Sequence, residues 1–177
     1  MPIITNHKMN IQNSTIDDIE KIFHLYEIAI NYQKEKGSVP WAGLTRSMVE
    51  KEINEKRQWK LIIDNSIACV WVTTFTDPQI WDEKNNDPSI YIHRIATDTH
   101  FKGRNLVSEI VVWSKNYAKI NNKKFIRLDT AGENKKLTDY YQSCGFTFLG
   151  SSKLKNTDGL PQHYDSVPVC LFELALD

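Results

Sequence analysis

The chain has only three cysteines in 177 residues, Cys69, Cys144 and Cys170. The number is odd and no two form a Cys-x-x-Cys pair. That argues against a disulfide framework or a zinc site, fits a reducing compartment, and leaves no metal expected. Each cysteine stands among apolar residues, where a thiol serves as a small buried hydrophobe. An excess of charge is also lacking: Lys+Arg and Asp+Glu both total 22, for a formal net charge of zero. A general nucleic-acid binder would carry a basic surplus, so no nucleic-acid partner is expected. No apolar run approaches the length that spans a bilayer, and no signal-peptide pattern opens the sequence. The expectation is a cytoplasmic protein with no membrane partner. Repeats, low-complexity tracts and linkers are missing too, so residues 1–177 read as a single domain with room for a sizeable core. Its apolar and charged fractions, 41% and 25%, are those of an ordinary globular chain.

What is present is a mixed order of strands and helices. Met9 to Gln12 forms a short first strand. Ser14 and Thr15 stand three residues before Asp17 and Asp18, a capping-box spacing. Ile19, Phe23, Tyr26 and Ile30 then recur at helical steps towards Glu35, with Gly37 placed to end the helix. Residues 38–43 read as a loop, and Thr45 or Ser47 caps a second helix reaching about Lys56. Trp59 to Ile63 and Ile67 to Phe75 form a hairpin about Asp64-Asn65-Ser66. Residues 76–88, with Pro78 and Pro88, read as a long loop. Ile90 to Ala96 is a strand, a helix runs from about Arg104 to Asn121, and Phe125 to Asp129 is the next strand. A short helix from about Lys135 stops at Gly145, Phe146 to Leu149 is a strand, 151–166 is a loop, and Val167 to Leu176 closes the chain. A β-α-β crossover among hairpins predicts an α+β domain with a mixed, mostly antiparallel central sheet flanked by helices on both faces.

The stretch from Ser89 to Gly150 carries the chemistry. The helix after Gly103 has Leu106, Ile110, Trp113 and Tyr117 on one stripe, which packs it against a sheet. Its start, His100-Phe101-Lys102-Gly103-Arg104-Asn105, is hydrophilic. Unpaired N–H groups at such a helix start, the positive dipole end, Lys102 and Arg104 together suit an anion such as a pyrophosphate. A solvated basic turn that binds nothing has the same composition, so these six residues leave both readings open.

With Asn134, Tyr141 and Gly145-Phe146 added, the chain resembles the GNAT superfamily of acyl-CoA N-acyltransferases. Their cofactor motif is a strand followed by Arg/Gln-x-x-Gly-x-Gly/Ala at a helix start, met here by residues 100–105. Their second motif is Asn, an aromatic seven residues on, then Gly-Phe. His100 replaces the usual Arg or Gln, and Asn105 replaces the usual small residue. The resemblance covers nearly the whole chain and implies acetyl-CoA as cosubstrate.

It further implies roles for individual positions. Backbone groups of Phe101, Lys102, Gly103, Arg104, Asn105 and Leu106 would hold the pyrophosphate. Ile95 and Thr97 would offer main-chain groups to the pantetheine arm and the acyl carbonyl, where an N–H could stabilise the oxyanion. Asn134 would bond the pantetheine arm, or cap the next helix, or both. Tyr141 is the candidate general acid. A phenol of pKa about 10 can protonate a leaving thiolate whose own pKa is about 8.5. Tyr140 reads as a core aromatic and Cys144 as packing.

His93 is the candidate base for the attacking amine, since strict alternation puts Tyr91, His93 and Ile95 on one face and Arg94 on the other. A buried structural histidine is the competing reading. Trp41, Trp81 and Tyr164 are candidates for an acceptor pocket, and Asp82, Glu83 and Asp87 for attracting a cationic amine. The expected function is transfer of an acetyl group from acetyl-CoA to a primary amine by direct attack in a ternary complex. The alternatives are a non-catalytic acyl-CoA-binding or sensing module, and an interaction domain that binds neither. The acceptor, a small molecule or a peptide amine, is left open, and a homodimer would be in keeping with the superfamily.

Overall fold

The computed structural model describes residues 8–177. Seven strands form one sheet in the order β1-β2-β3-β4-β5-β7-β6. They are β1 (Met9–Asn13), β2 (Gln58–Ile63), β3 (Ser66–Thr74), β4 (Ser89–Thr97), β5 (Phe125–Ala131), β6 (Thr147–Lys153) and β7 (Pro168–Ala175). Only β4 and β5 are parallel; every other neighbouring pair is antiparallel. Among the described residues the α-helices are α1 (Ile19–Glu35), α2 (Arg46–Asn54), α3 (Pro78–Trp81), α4 (Leu106–Ile120) and α5 (Lys135–Ser143). The expected α+β class and mostly antiparallel sheet are present.

Local chemistry explains the helix starts. Thr15 and Asp18 form the reciprocal capping box ahead of α1. The Thr45 hydroxyl accepts from the Met48 N–H at the start of α2, and the Asn134 side chain accepts from the Leu137 N–H at the start of α5. Each cap satisfies an N–H that the helix leaves unpaired. Apolar spacing then assigns faces. Leu106, Val107, Ile110 and Val111 of α4 pack with Ile90, Ile92, Ile126 and Leu128 on one face of the sheet, and Tyr140 and Tyr141 of α5 join them there. Ile19, Ile22, Leu25 and Tyr26 of α1 and Val49 and Ile53 of α2 pack with Val70 and Ala96 on the opposite face.

Three segments differ from the expected boundaries. The supposed loop at 76–88 contains α3 and a 3-10 turn at Asp82–Asn86. Pro78 occupies the first turn of α3, where its missing N–H costs nothing. The sixth strand extends to Lys153 because it pairs with β7 as far as Lys153↔Pro168. The long helix begins at Leu106 rather than Arg104, because Asn105 is in the left-handed conformation, φ 53°.

Two irregularities of β4 shape the molecule. Val70 pairs with Ala96 and Val72 with His93, so Trp71 alone stands opposite both Arg94 and Ile95. This is a β-bulge, and within it Arg94 is in the left-handed conformation, φ 50°. The second irregularity is a fork. Pairing of β4 with β5 ends at Ile92↔Leu128, and β5 goes on to pair with β7 as far as Ala131. Beyond the fork the β5-facing edge of β4 has no strand partner among the described residues.

Candidate functional site

The fork opens into a cleft of about 1500 Å³. Residues 93–97 of β4 line one wall and Leu128 to Gly132 the other, with Asn134, Leu137, Tyr140 and Tyr141 of α5 and the start of α4 at one end. A loop carrying Val39 and Trp41 and a turn carrying Pro161, His163 and Tyr164 border the opposite side. These two segments hold each other. The Ala42 N–H donates to His163 Nδ1 at 3.2 Å, and the Trp41 N–H donates to Gln33 of α1. Gly132 lets the loop approach β5: its φ is +77°, and a Cβ there would lie 2.8 Å from Val39 Cγ2.

The start of α4 has the donors an anion needs. The N–H groups of Phe101, Lys102 and Arg104 are already used by the carbonyls of Asp98, Thr99 and Phe101. Those of Gly103, Asn105, Leu106 and Val107 meet no acceptor among the described residues, and all four residues line the cleft. The donor set is therefore narrower than the expected run from Phe101 to Leu106. Ile95, Thr97, Phe101, Lys102, Gly103, Asn105, Leu106 and Asn134 all border the cleft, whereas Arg104 lies outside its lining and sits over the Phe101 ring. Lys102 sits over the ring of Tyr32 of α1, 4.1 Å from its centroid.

The two departures from the family pattern have local explanations. Asp98 Oδ1 accepts from the His100 N–H at 3.0 Å and faces the His100 ring at 2.8 Å, while Lys21 Nζ donates to Asp98 Oδ2 at 2.5 Å. Burial alone would raise the pKa of Asp98, but the bonds from Lys21 and His100 hold it well below the usual carboxylate range. His100 thus braces the turn before α4. Asn tolerates the left-handed conformation better than most residues. The Asn105 side chain donates to Ser108 Oγ and accepts from the Tyr140 hydroxyl at 3.0 Å. Tyr140 is therefore a wall residue that ties α5 to the start of α4, as well as the packing residue expected.

Tyr141 borders the cleft while its ring packs on Phe172 (centroids 5.2 Å apart) and Phe146 (6.1 Å). Its hydroxyl has no hydrogen-bond partner among the described residues. Burial, with Tyr140 and Cys144 close by, raises its pKa well above the ordinary phenol value. Asn134 caps α5 and also donates from Nδ2 to Ser38 Oγ at 2.9 Å, so its amide is engaged on both sides.

The expected shared face of His93 and Ile95 does not hold. The bulge inserts Arg94 and inverts the alternation: Ile95 packs with Ile90 and Ile92 on the α4 face. Arg94 reaches Glu52 of α2, on the face where α1 and α2 lie. There Arg94 is structural, with Nη2 2.5 Å from both oxygens of Glu52. His93 still borders the cleft, at the mouth of the fork. Its Nε2 lies 3.2 Å from Asp77 Oδ2 and its Nδ1 lies 3.5 Å from Asp129 Oδ1. Asp129 also accepts from the Tyr164 hydroxyl at 2.7 Å.

Burial alone would lower the pKa of His93, but the Asp77 hydrogen bond and the charges of both carboxylates outweigh it, and the pKa is raised. Burial, opposed by His93 and reinforced by Asp77, pushes Asp129 up to about 6. The two carboxylates were not anticipated. The sequence offers no signal for them, since they come from the end of the β3–α3 connection and from β5.

Other acceptor-side expectations divide. Trp41 and Tyr164 border the cleft. Trp81 does not: it is buried, with its ring against Tyr91 and beneath the Arg127 guanidinium. Asp82 pairs with Lys155 and Asp87 with Arg127, and with Glu83 they lie outside the cleft. Among the described residues no helix is long and apolar enough to cross a membrane.

No protein-family model matches the chain. An uncharacterized N-acetyltransferase of Bacillus subtilis, YesJ, is 24% identical over 143 residues, spanning 76% of this chain and 79% of that protein. A GNAT-family acetyltransferase of Listeria monocytogenes superposes with a TM-score of 0.76 at 21% identity, covering 95% of both chains. One from Streptococcus agalactiae gives 0.75 at 19% identity, covering 96% of both.

Proposed function

The chain has the fold of the GNAT-family acetyltransferases, and from that premise we propose that it moves an acetyl group from acetyl-CoA to a primary amine by direct attack, without an acyl-enzyme. One observation carries this reading: the fork between β4 and β5 leads from four unpaired N–H groups at the start of α4 to the wall that carries Tyr141. Those donors suit a diphosphate, which would gain the helix dipole and the charge of Lys102 as well. The fork suits an extended arm laid along the unpaired edge of β4, beside Ile95 and Thr97 and near Asn134. A main-chain N–H on that edge would stabilise the tetrahedral oxyanion.

The proton steps fall to two residues. As the amine nitrogen bonds the acyl carbon and the C–S bond breaks, the Tyr141 hydroxyl gives its proton to the departing thiolate. Neutral His93 takes the proton that the amine nitrogen must lose, directly or through water. Asp77 and Asp129 stabilise the imidazolium so formed. Cys144, which stands beside Tyr140 and Gly145 behind the cleft wall, has no part in the transfer.

Calorimetric titration of CoA, followed by a thiol-release assay with acetyl-CoA and a panel of primary amines, tests the proposal. The expected result is saturable CoA binding and amine-dependent thiol release. Absence of binding at millimolar CoA would refute the reading. Binding without turnover of any amine would replace it with a non-catalytic acyl-CoA-binding module.

A further inference from the structure

The acceptor side of the cleft holds negative charge that the protein does not balance. Asp77 and Asp129 are both deeply buried, with side chains 9% and 0% exposed. They flank the two nitrogens of one histidine, so the cluster keeps a net negative charge even when His93 is protonated. The neighbouring groups do not neutralise it. Arg94 is bound by both oxygens of Glu52, and His163 accepts the Ala42 N–H and is held neutral by burial. Tyr164 donates only to the other oxygen of Asp129. Asp77 Oδ2 and Asp129 Oδ1 face only the ring nitrogens of His93, at 3.2 and 3.5 Å, and take no well-aligned hydrogen bond among the described residues; both residues border the cleft. One imidazolium cannot balance two buried carboxylates, and a cationic ligand offsets the remaining penalty.

We propose that the Asp77–His93–Asp129 cluster seats a second cationic group of the acceptor, which makes the substrate a diamine, a polyamine or an aminoalkyl guanidine rather than a simple monoamine. The inference rests on the acetyl-transfer reading. The seated cation is not the reacting nitrogen, because paired carboxylates stabilise an ammonium ion and only the neutral amine has a lone pair for attack. A cation there also balances the carboxylates that otherwise favour protonated His93, leaving the imidazole neutral to receive a proton. The surroundings fit an alkyl chain with a charged end. Trp41, Leu160, Pro161 and Tyr164 are also among the residues that line the cleft, and aromatic rings favour a cation.

The test compares butylamine with 1,4-diaminobutane and its mono-guanidino analogue in the thiol-release assay. The expected kcat/KM for the dications exceeds that for butylamine by about 10- to 100-fold, the range of a hydrogen bond to a charged group. Asp77→Asn and Asp129→Asn should each shrink that ratio. The wild-type ratio alone decides the matter should either variant fail to fold. Equal kcat/KM for butylamine and the dications would overturn the inference and leave acetyl transfer standing. Thiol release with no amine at all, despite CoA binding, would overturn both. A calorimetric titration with Zn²⁺ or Mn²⁺ is the control. Tight binding that both Asn variants abolish would overturn the inference by making the cluster a metal site.

Discussion

Arg94, the bulged residue of β4, forms a buried ion pair with Glu52, and breaking it has a calculable cost. Their side chains are 9% and 8% exposed, and the guanidinium sits 2.5 Å from both carboxylate oxygens. The guanidinium also lies over the Tyr26 ring, 5.7 Å from its centroid. Arg94→Met leaves Glu52 buried and unpaired, and Glu52→Leu does the same to Arg94. Removing one partner of such a pair costs about 3–5 kcal/mol, because a bare charge is left in low dielectric. A chain of this length loses about 2–4 °C in Tm per kcal/mol, so each single variant should melt about 6–20 °C lower. The double variant, with two apolar side chains meeting in the same space, should recover most of that loss. Urea unfolding followed by tryptophan fluorescence, with thermal melts alongside, measures all three. Single variants within about 1 kcal/mol of the parent would refute the reasoning, because that is the range of a solvent-screened surface pair. A double variant as damaged as the sum of the singles would refute it too.

Three further predictions follow from the same geometry. Tyr141→Phe should lower kcat by about 10²- to 10⁴-fold, the usual contribution of a general acid, with little change in CoA affinity by calorimetry; an unchanged kcat would dismiss Tyr141 as the proton donor. Asp98 has a folded pKa below its unfolded value, so its contribution to stability is complete above about pH 4 and fades as pH falls through the lower, folded value. Denaturation curves measured from pH 6 down to pH 2 should therefore show a shallower acid loss for Asp98→Asn than for the parent, and parallel curves would contradict the ion pair with Lys21. Gly132→Ala combines a left-handed backbone with a Cβ 2.8 Å from Val39 Cγ2, and should destabilise by about 1–3 kcal/mol in the same urea assay. Val39→Ala in that background should restore part of the loss.

Much of this protein is decided locally and is therefore legible in its sequence. Thr15 with Asp18, Thr45 and Asn134 cap helices through bonds to residues only a few positions away, so spacing narrows each cap to one or two candidates, Thr45 or Ser47 for the second helix. The stripe from Leu106 to Tyr117 assigns α4 to a sheet face because its period is that of the helix. The glycine turn at Gly103, Asn134, Tyr141 and Gly145-Phe146 carry the family resemblance, and the fold agrees with it.

Tertiary structure alone decided the rest. A bulge built on Arg94 rather than on glycine leaves no mark in the pattern of β4, yet it turns Ile95 away from His93. Whether β4 and β5 pair along their whole length depends on β7 and the helices around them, so the fork was not visible in either strand. The environment of His93 is set by Asp77 and Asp129, which are distant in the chain and adjacent only once the sheet forms. The sequence by itself determined most of the helices and strands, outside segments such as 76–88, and which glycine turn opens the long helix. Only the folded sheet determined which side chains share the cleft, because register and bulges are properties of strand pairs and not of single strands.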